Sequence, residues 1–239
     1  MYLIGVSAIS FDLDDTLWSF RTVVERAQAT LHSWLLEHAP RVATVLPTPA
    51  ALGHLRDHYE HSHPDLAGDF RVLRIGSIRL ALEMSGEDAS LTEQAYGVFV
   101  DARHEVEFYD DVMPALQWLS PRFPLIAVTN GNADLRMTGG SEFFRLALSA
   151  SSLGIAKPAA GIFHAAARAA DVSAAEMLHV GDDYDLDVVG ALNAGLQAAW
   201  LQREDHIFNA PSPTSARAPH LVINNLSMLC RALGGPDTF

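Results

Sequence analysis

Hydrophobic and polar positions fall into two textures along the 239-residue chain. Residues 3–13 are weighted to apolar side chains, as expected of a strand in a sheet covered on both faces. From 18 to 37, Val23, Ala27, Leu31, Trp34 and Leu35 recur at helical spacing and predict a long helix. Residues 38–50 hold three prolines and predict a connection. Helical patterning then returns at 51–59, 69–84 and 90–103, with Ser90 and Glu93 spaced for a capping box at the last start.

Beyond Asp110 and Asp111 the texture changes. Residues 112–119 predict a short helix, and short apolar runs at 124–128, 146–149, 177–180, 197–200 and 221–223 predict strands. Helical segments at 161–170 and 188–194 lie between them. Strands alternating with helices of this length indicate βα units and a parallel sheet. The expected fold class is therefore α/β, its core interrupted after the first strand by a helical insertion. The Pro/Ser-rich stretch 209–220 reads as a surface loop.

Composition narrows the function. At 49% hydrophobic and 19% charged residues, the chain has the make-up of a soluble globular protein. Its formal charge of −13 disfavours nucleic acid and anionic membrane surfaces as partners. An anionic substrate would need a metal ion or a few placed cations to reverse the potential locally. A lone cysteine, Cys230, excludes an internal disulfide and is expected to be a small buried hydrophobe. No apolar run approaches the roughly 18 residues of a membrane span. The N-terminus lacks the basic flank of a signal peptide, so the expected location is the reducing cytoplasm.

In a parallel sheet, ligands gather where the chain leaves the carboxyl ends of the strands. Four polar clusters lie there: Asp12, Asp14 and Thr16; Thr129, Asn130 and Gly131; Lys157 with Pro158; and Gly181, Asp182, Asp183 and Asp187. In an extended stretch Asp12 and Asp14 would project to one side and Asp15 to the other. Two such carboxylates repel unless a cation lies between them, and Asp182 would complete an oxygen-only set suited to Mg²⁺. A carboxylate held beside Mg²⁺ can attack phosphorus, which gives Asp12 as nucleophile and Asp14 as acid and base. Thr129, the backbone N–H groups around Asn130 and Gly131, and Lys157 are the expected phosphoryl holders. The bland readings fall elsewhere. His54, His58, His61 and His63 read as an exposed polar segment, Arg71, Arg74 and Arg79 as a solvated helix face, His164 as a core-edge residue, and His179 as a satisfied strand-end residue.

The stretches FDLDDT, AVTNGN, the GIAKP lysine and HVGDDYDLDVVGALNAG resemble, in order and spacing, the four motifs of the haloacid-dehalogenase-like hydrolases. The resemblance implies a Rossmann-like three-layer core at 1–17 and 108–239, with a helical cap at 18–107. It implies Asp12 as nucleophile and Asp14 as acid/base. Mg²⁺ would be bound by Asp12, Asp182 and the backbone carbonyl of Asp14. Asp187 would be a water-mediated ligand or a partner for Lys157, with Asp183 able to share that role. TNGN, HVGDD and GLQAAW are similar to bacterial phosphatases that act on flavin mononucleotide and on 5-amino-6-(5-phosphoribitylamino)uracil. True dehalogenases of the family lack an acid at the Asp14 position, having no alkoxide to protonate. The expected partner is a small phosphorylated metabolite, and the expected state a monomer or homodimer. The alternatives are a sugar phosphomutase, a 2-haloacid dehalogenase and a non-catalytic binding protein.

Overall fold

The computed structural model describes residues 3–66, 68–204 and 217–236, and these form two compact units. Met1–Ser19 joins Glu107–Phe239 in the first, and Phe20–Val106 is the second. The first unit is built on six parallel strands, β1 (Ala8–Phe11), β2 (Leu125–Thr129), β3 (Leu146–Ser149), β4 (Met177–Gly181), β5 (Gln197–Leu201) and β6 (Leu221–Ile223). Their order is β3-β2-β1-β4-β5-β6. The winding direction therefore reverses between β1 and β4, the place where open α/β sheets bind ligands. Ser10 is in register with Ile126 on one side and His179 on the other, so the carboxyl ends of β1, β2 and β4 share one edge.

β1 is shorter than the apolar lead suggests. Gly5 turns the chain into the left-handed region at φ +57°, and Ile4 is 77% exposed. The Ile4 backbone N–H and carbonyl are met by the Gln197 side-chain amide in place of a strand partner. Hydrophobicity extended the expected strand, and the absence of a ladder partner ends it. On one sheet face, Ala8, Ile126, Val128 and Met177 pack with Ile162, Phe163, Ala166 and Ala170 of a helix at Ala160–Ala170. The alternate residues Ile9, Phe11, Leu125, Ala127, Leu178 and Val180 are buried too, so both faces are covered, as the strand composition requires.

The second unit is four helices, α1 (Phe20–His38), α2 (Pro49–Ser62), α3 (Phe70–Ser85) and α4 (Thr92–His104), around a core that includes Ala27, Leu31, Leu35, Ile78, Leu82, Ala95 and Phe99. Thr48 and Asp69 cap α2 and α3 by accepting from the N–H groups of Ala51 and Val72. The Ser90–Glu93 capping box does not form. Asp88 accepts from both the N–H and the hydroxyl of Ser90, so the charged acceptor one turn earlier takes the cap and α4 begins at Thr92. Arg74 also departs from expectation: it is buried, its guanidinium carbon 4.2 Å from the centre of the Phe99 ring. Among the described residues no helix is long and apolar enough to cross a membrane. Cys230 is buried, and the expected loop at 209–220 lies, as far as residue 216, outside the described residues.

Candidate active site

Asp12 follows β1 directly, its N–H donating to the Val180 carbonyl of β4 at 2.9 Å. Asp182 follows β4, and Asp187 lies five residues on, within a π-helical stretch at Tyr184–Val189. Carboxylate oxygens of Asp12, Asp182 and Asp187 all lie within 4.8 Å of one another. This is the one metal-compatible group of His, Cys, Asp and Glu among the described residues, so the histidines at 54, 58, 61 and 63 form none. Lys157 donates to Asp12 and, at 2.6 Å, to Asp187, while the Thr16 hydroxyl donates to Asp182 at 3.0 Å. Sequence spacing leads one to expect the side chains of 12, 14 and 182 together. The close trio instead contains Asp187, while the Asp14 carboxyl group lies against Gly131 and the Trp18 indole.

Two glycines make room for this charge. A Cβ on Gly181 would lie 2.3 Å from the Asp187 carboxyl carbon, and one on Gly131 would lie 2.6 Å from Asp14 Oδ2. Position 181 leaves no room for a side chain, and one at 131 would have to displace the Asp14 carboxyl group. Asp14 itself accepts a 2.8 Å bond from the Trp18 indole through Oδ1. Thr129 ends β2, buried, and its Oγ1 accepts the Gly131 N–H at 2.9 Å, so that N–H is engaged inside the loop. Asn130 clamps the lysine from a distance: its amide donates to the Lys157 carbonyl at 3.0 Å and accepts the Lys157 N–H at 2.8 Å. Asp183 accepts the N–H groups of Asp185 and Leu186, which makes it the cap of the π-helical turn.

Behind the site runs a buried polar chain. His179 Nε2 is 3.0 Å from Asp187 Oδ1, and His179 Nδ1 is 2.8 Å from the Ser10 hydroxyl. Burial pushes the His179 pKa down, so the ring is neutral near pH 7. An ionised Asp187 can only accept, so Nε2 carries the hydrogen and Nδ1 accepts from Ser10. Arg203, also buried, donates to both oxygens of Asp111 and to the Thr16 carbonyl, fixing the turn after β1. The sequence announces neither support, because each joins residues far apart in the chain. A cleft of about 530 Å³ beside Thr129, lined by Asn132, Phe144, Leu146 and Ser149, meets these groups through Thr129 alone.

The electrostatics show what the carboxylates lack. Burial raises the Asp12 pKa to about 7, outweighing Lys157, and burial with Asp12 and Asp187 nearby raises Asp182 to about 9. Burial alone would lower Lys157, but Asp12 and Asp187 hold it above its ordinary value. Burial would raise Asp187, but Lys157 and His179 hold it below the usual carboxylate range. One ammonium thus satisfies Asp187 and leaves Asp12 and Asp182 short of positive charge. A hard divalent cation on carboxylate oxygens would meet that deficit, so the residues present fit Mg²⁺.

The strand order and the acid-loaded switch point define an α/β enzyme core. A family model described as a haloacid dehalogenase-like hydrolase matches residues 6–195. The 5-amino-6-(5-phospho-D-ribitylamino)uracil phosphatase YigB of Escherichia coli (strain K12) is 32% identical over 228 residues, 94% of each chain. The glyceraldehyde 3-phosphate phosphatase of Methanopyrus kandleri is 29% identical over 83% of this chain and 84% of its own. The crystal structure of a 2-haloacid dehalogenase from Pseudomonas syringae pv. Tomato superposes with TM-score 0.81 at 35% identity, covering 96% of this chain and 98% of that one. The chain belongs to the haloacid dehalogenase-like hydrolases.

Proposed function

We propose that the protein is a Mg²⁺-dependent phosphatase of small phosphate monoesters that carries the phosphoryl group on Asp12. The observation that supports this reading over haloacid chemistry is the Asp14 carboxyl group, set against Gly131 beside Thr129. Breaking a phosphate ester releases an alkoxide that needs a proton, whereas halide leaves without one. The Asp12 carboxylate attacks phosphorus as the ester oxygen departs, and Asp14 protonates that oxygen. Asp14 then takes a proton from the water that attacks phosphorus, releasing inorganic phosphate and restoring the Asp12 carboxylate. Lys157, held by Asp187 and by the Asn130 clamp, sets positive charge at Asp12 throughout. Asp12, Asp182 and the Asp14 carbonyl would hold the metal, with Asp187 as the lysine's partner. When bound, Mg²⁺ supplies charge against the phosphoryl oxygens and the gathered carboxylates.

Among substrates, the identity to the E. coli enzyme favours the ribitylaminouracil phosphate ahead of a sugar or triose phosphate, and the resemblance carried by TNGN, HVGDD and GLQAAW adds flavin mononucleotide. We assign the choice of leaving group to the helical unit Phe20–Val106, and propose a cytoplasmic monomer or homodimer. A second reading, 2-haloacid dehalogenase, is favoured by the likeness to the Pseudomonas 2-haloacid dehalogenase. A panel of these phosphates and 2-haloacids, with and without Mg²⁺, separates the two. Phosphate release that requires Mg²⁺ and falls about 10²–10⁴-fold in Asp14→Asn is expected. Halide release without phosphate release would replace this reading with the second.

A further inference from the structure

We infer that Trp18 is a positioning residue that aims Asp14 at the departing oxygen; this rests on the phosphatase reading and deepens it. The left-handed turn at Asp15 folds the chain back, with the Asp15 N–H donating to the Trp18 carbonyl at 2.7 Å. Isolated bridges pair Trp18 with Asp14 and with Phe108. The indole is fully buried, and the Phe108 ring meets it edge-on at 5.5 Å between centroids. A tryptophan so placed needs a partner for its N–H, and Asp14 Oδ1 provides it at 2.8 Å.

That bond has a direction. An indole N–H donates and never accepts, so Oδ1 serves it as an acceptor. The proton Asp14 gives up is therefore carried by Oδ2. That oxygen faces Gly131, where a Cβ would meet Oδ2 at 2.6 Å and Thr129 Oγ1 at 3.2 Å. Trp18 thus fixes both the rotation of the carboxyl group and the oxygen that delivers the proton, on the side where Thr129 stands. Phenylalanine would keep an aromatic ring in most of that space and remove the donor that orients Oδ1.

The test compares esters that differ in their need for an acid. For Trp18→Phe, the single-turnover rate of ester cleavage on an alkyl phosphate such as flavin mononucleotide should fall on the order of 10-fold, with KM little changed. On p-nitrophenyl phosphate, whose phenolate leaves unprotonated, the pre-steady-state burst of nitrophenolate should keep its rate within about 2-fold. The chain has four tryptophans, and one indole N–H resonance should shift in Asp14→Asn and vanish in Trp18→Phe. Should Trp18→Phe fail to fold, Phe108→Leu loosens the ring while keeping the N–H, and should give a smaller loss with the same ester preference. Equal losses in the rate of ester cleavage on both esters, no loss on either, or four unmoved indole signals in Asp14→Asn would overturn the inference. Wild-type protein inactive on every phosphate ester would remove the phosphatase reading, and this inference with it. Leaving-group dependence in Asp14→Asn without it in Trp18→Phe removes the inference alone.

Discussion

Lys157 and Arg74 are both buried cations, one in each unit, and they are accommodated in opposite ways. Lys157 stands between two carboxylates that hold its pKa above the ordinary value. Arg74 stands over the Phe99 ring, and burial, helped by Arg56, lowers its pKa to about 10. A charge matched by opposite charge at a strand end belongs to a site. A charge matched by a ring face, its stem filling space among helices, belongs to packing. The same burial therefore predicts different responses to substitution.

Lys157→Met should show the largest effect. It leaves Asp12 and Asp187 buried without their partner, which costs about 3–5 kcal/mol in denaturant unfolding as well as activity. A cost below about 1 kcal/mol would mean that the carboxylates are not charged against the lysine. Next comes the metal. Mg²⁺ at about 100 times its dissociation constant should stabilise the wild type by about 2.7 kcal/mol, and Asp182→Asn should lose most of that gain. An equal thermal shift in both proteins would place the ion elsewhere.

Arg74→Met keeps the apolar stem and removes a desolvated charge, so its unfolding free energy should change by less than about 1.5 kcal/mol. A cost as large as that of Lys157→Met would erase the contrast between the units. The smallest effect is a slope with pH. Burial sets the folded His179 pKa below its unfolded value of 6.5, so the unfolded chain takes up its proton first. Stability should decline as the pH falls below 6.5 toward the folded value, and His179→Gln should flatten that part of the curve. An unchanged slope would assign it to other groups.

The sequence made the sheet, the helical insertion and the polar residues gathered near the strand ends legible, because each has a local signature. Periodicity marks strands and helices, while Asp12, Thr129, Lys157 and Asp182 each follow an apolar run. What stayed hidden depends on partners remote in the chain. The Asn130 clamp reaches 27 residues to Lys157, and the Ser10–His179 contact spans 169. The strand expected from residue 3 begins at Ala8 because pairing, not apolarity, defines a strand. Helical spacing alone places Arg74 on a solvated face, because it does not say which neighbour a long side chain will cover.

The central claim is a covalent phosphoryl group on Asp12. Acid quenching during turnover, followed by borohydride reduction and peptide mass spectrometry, tests it directly, since borohydride converts an aspartyl phosphate to homoserine. The account predicts homoserine at residue 12, unchanged aspartate at residue 14, and no homoserine in the absence of substrate. Steady phosphate release with no reduction at residue 12 would contradict it.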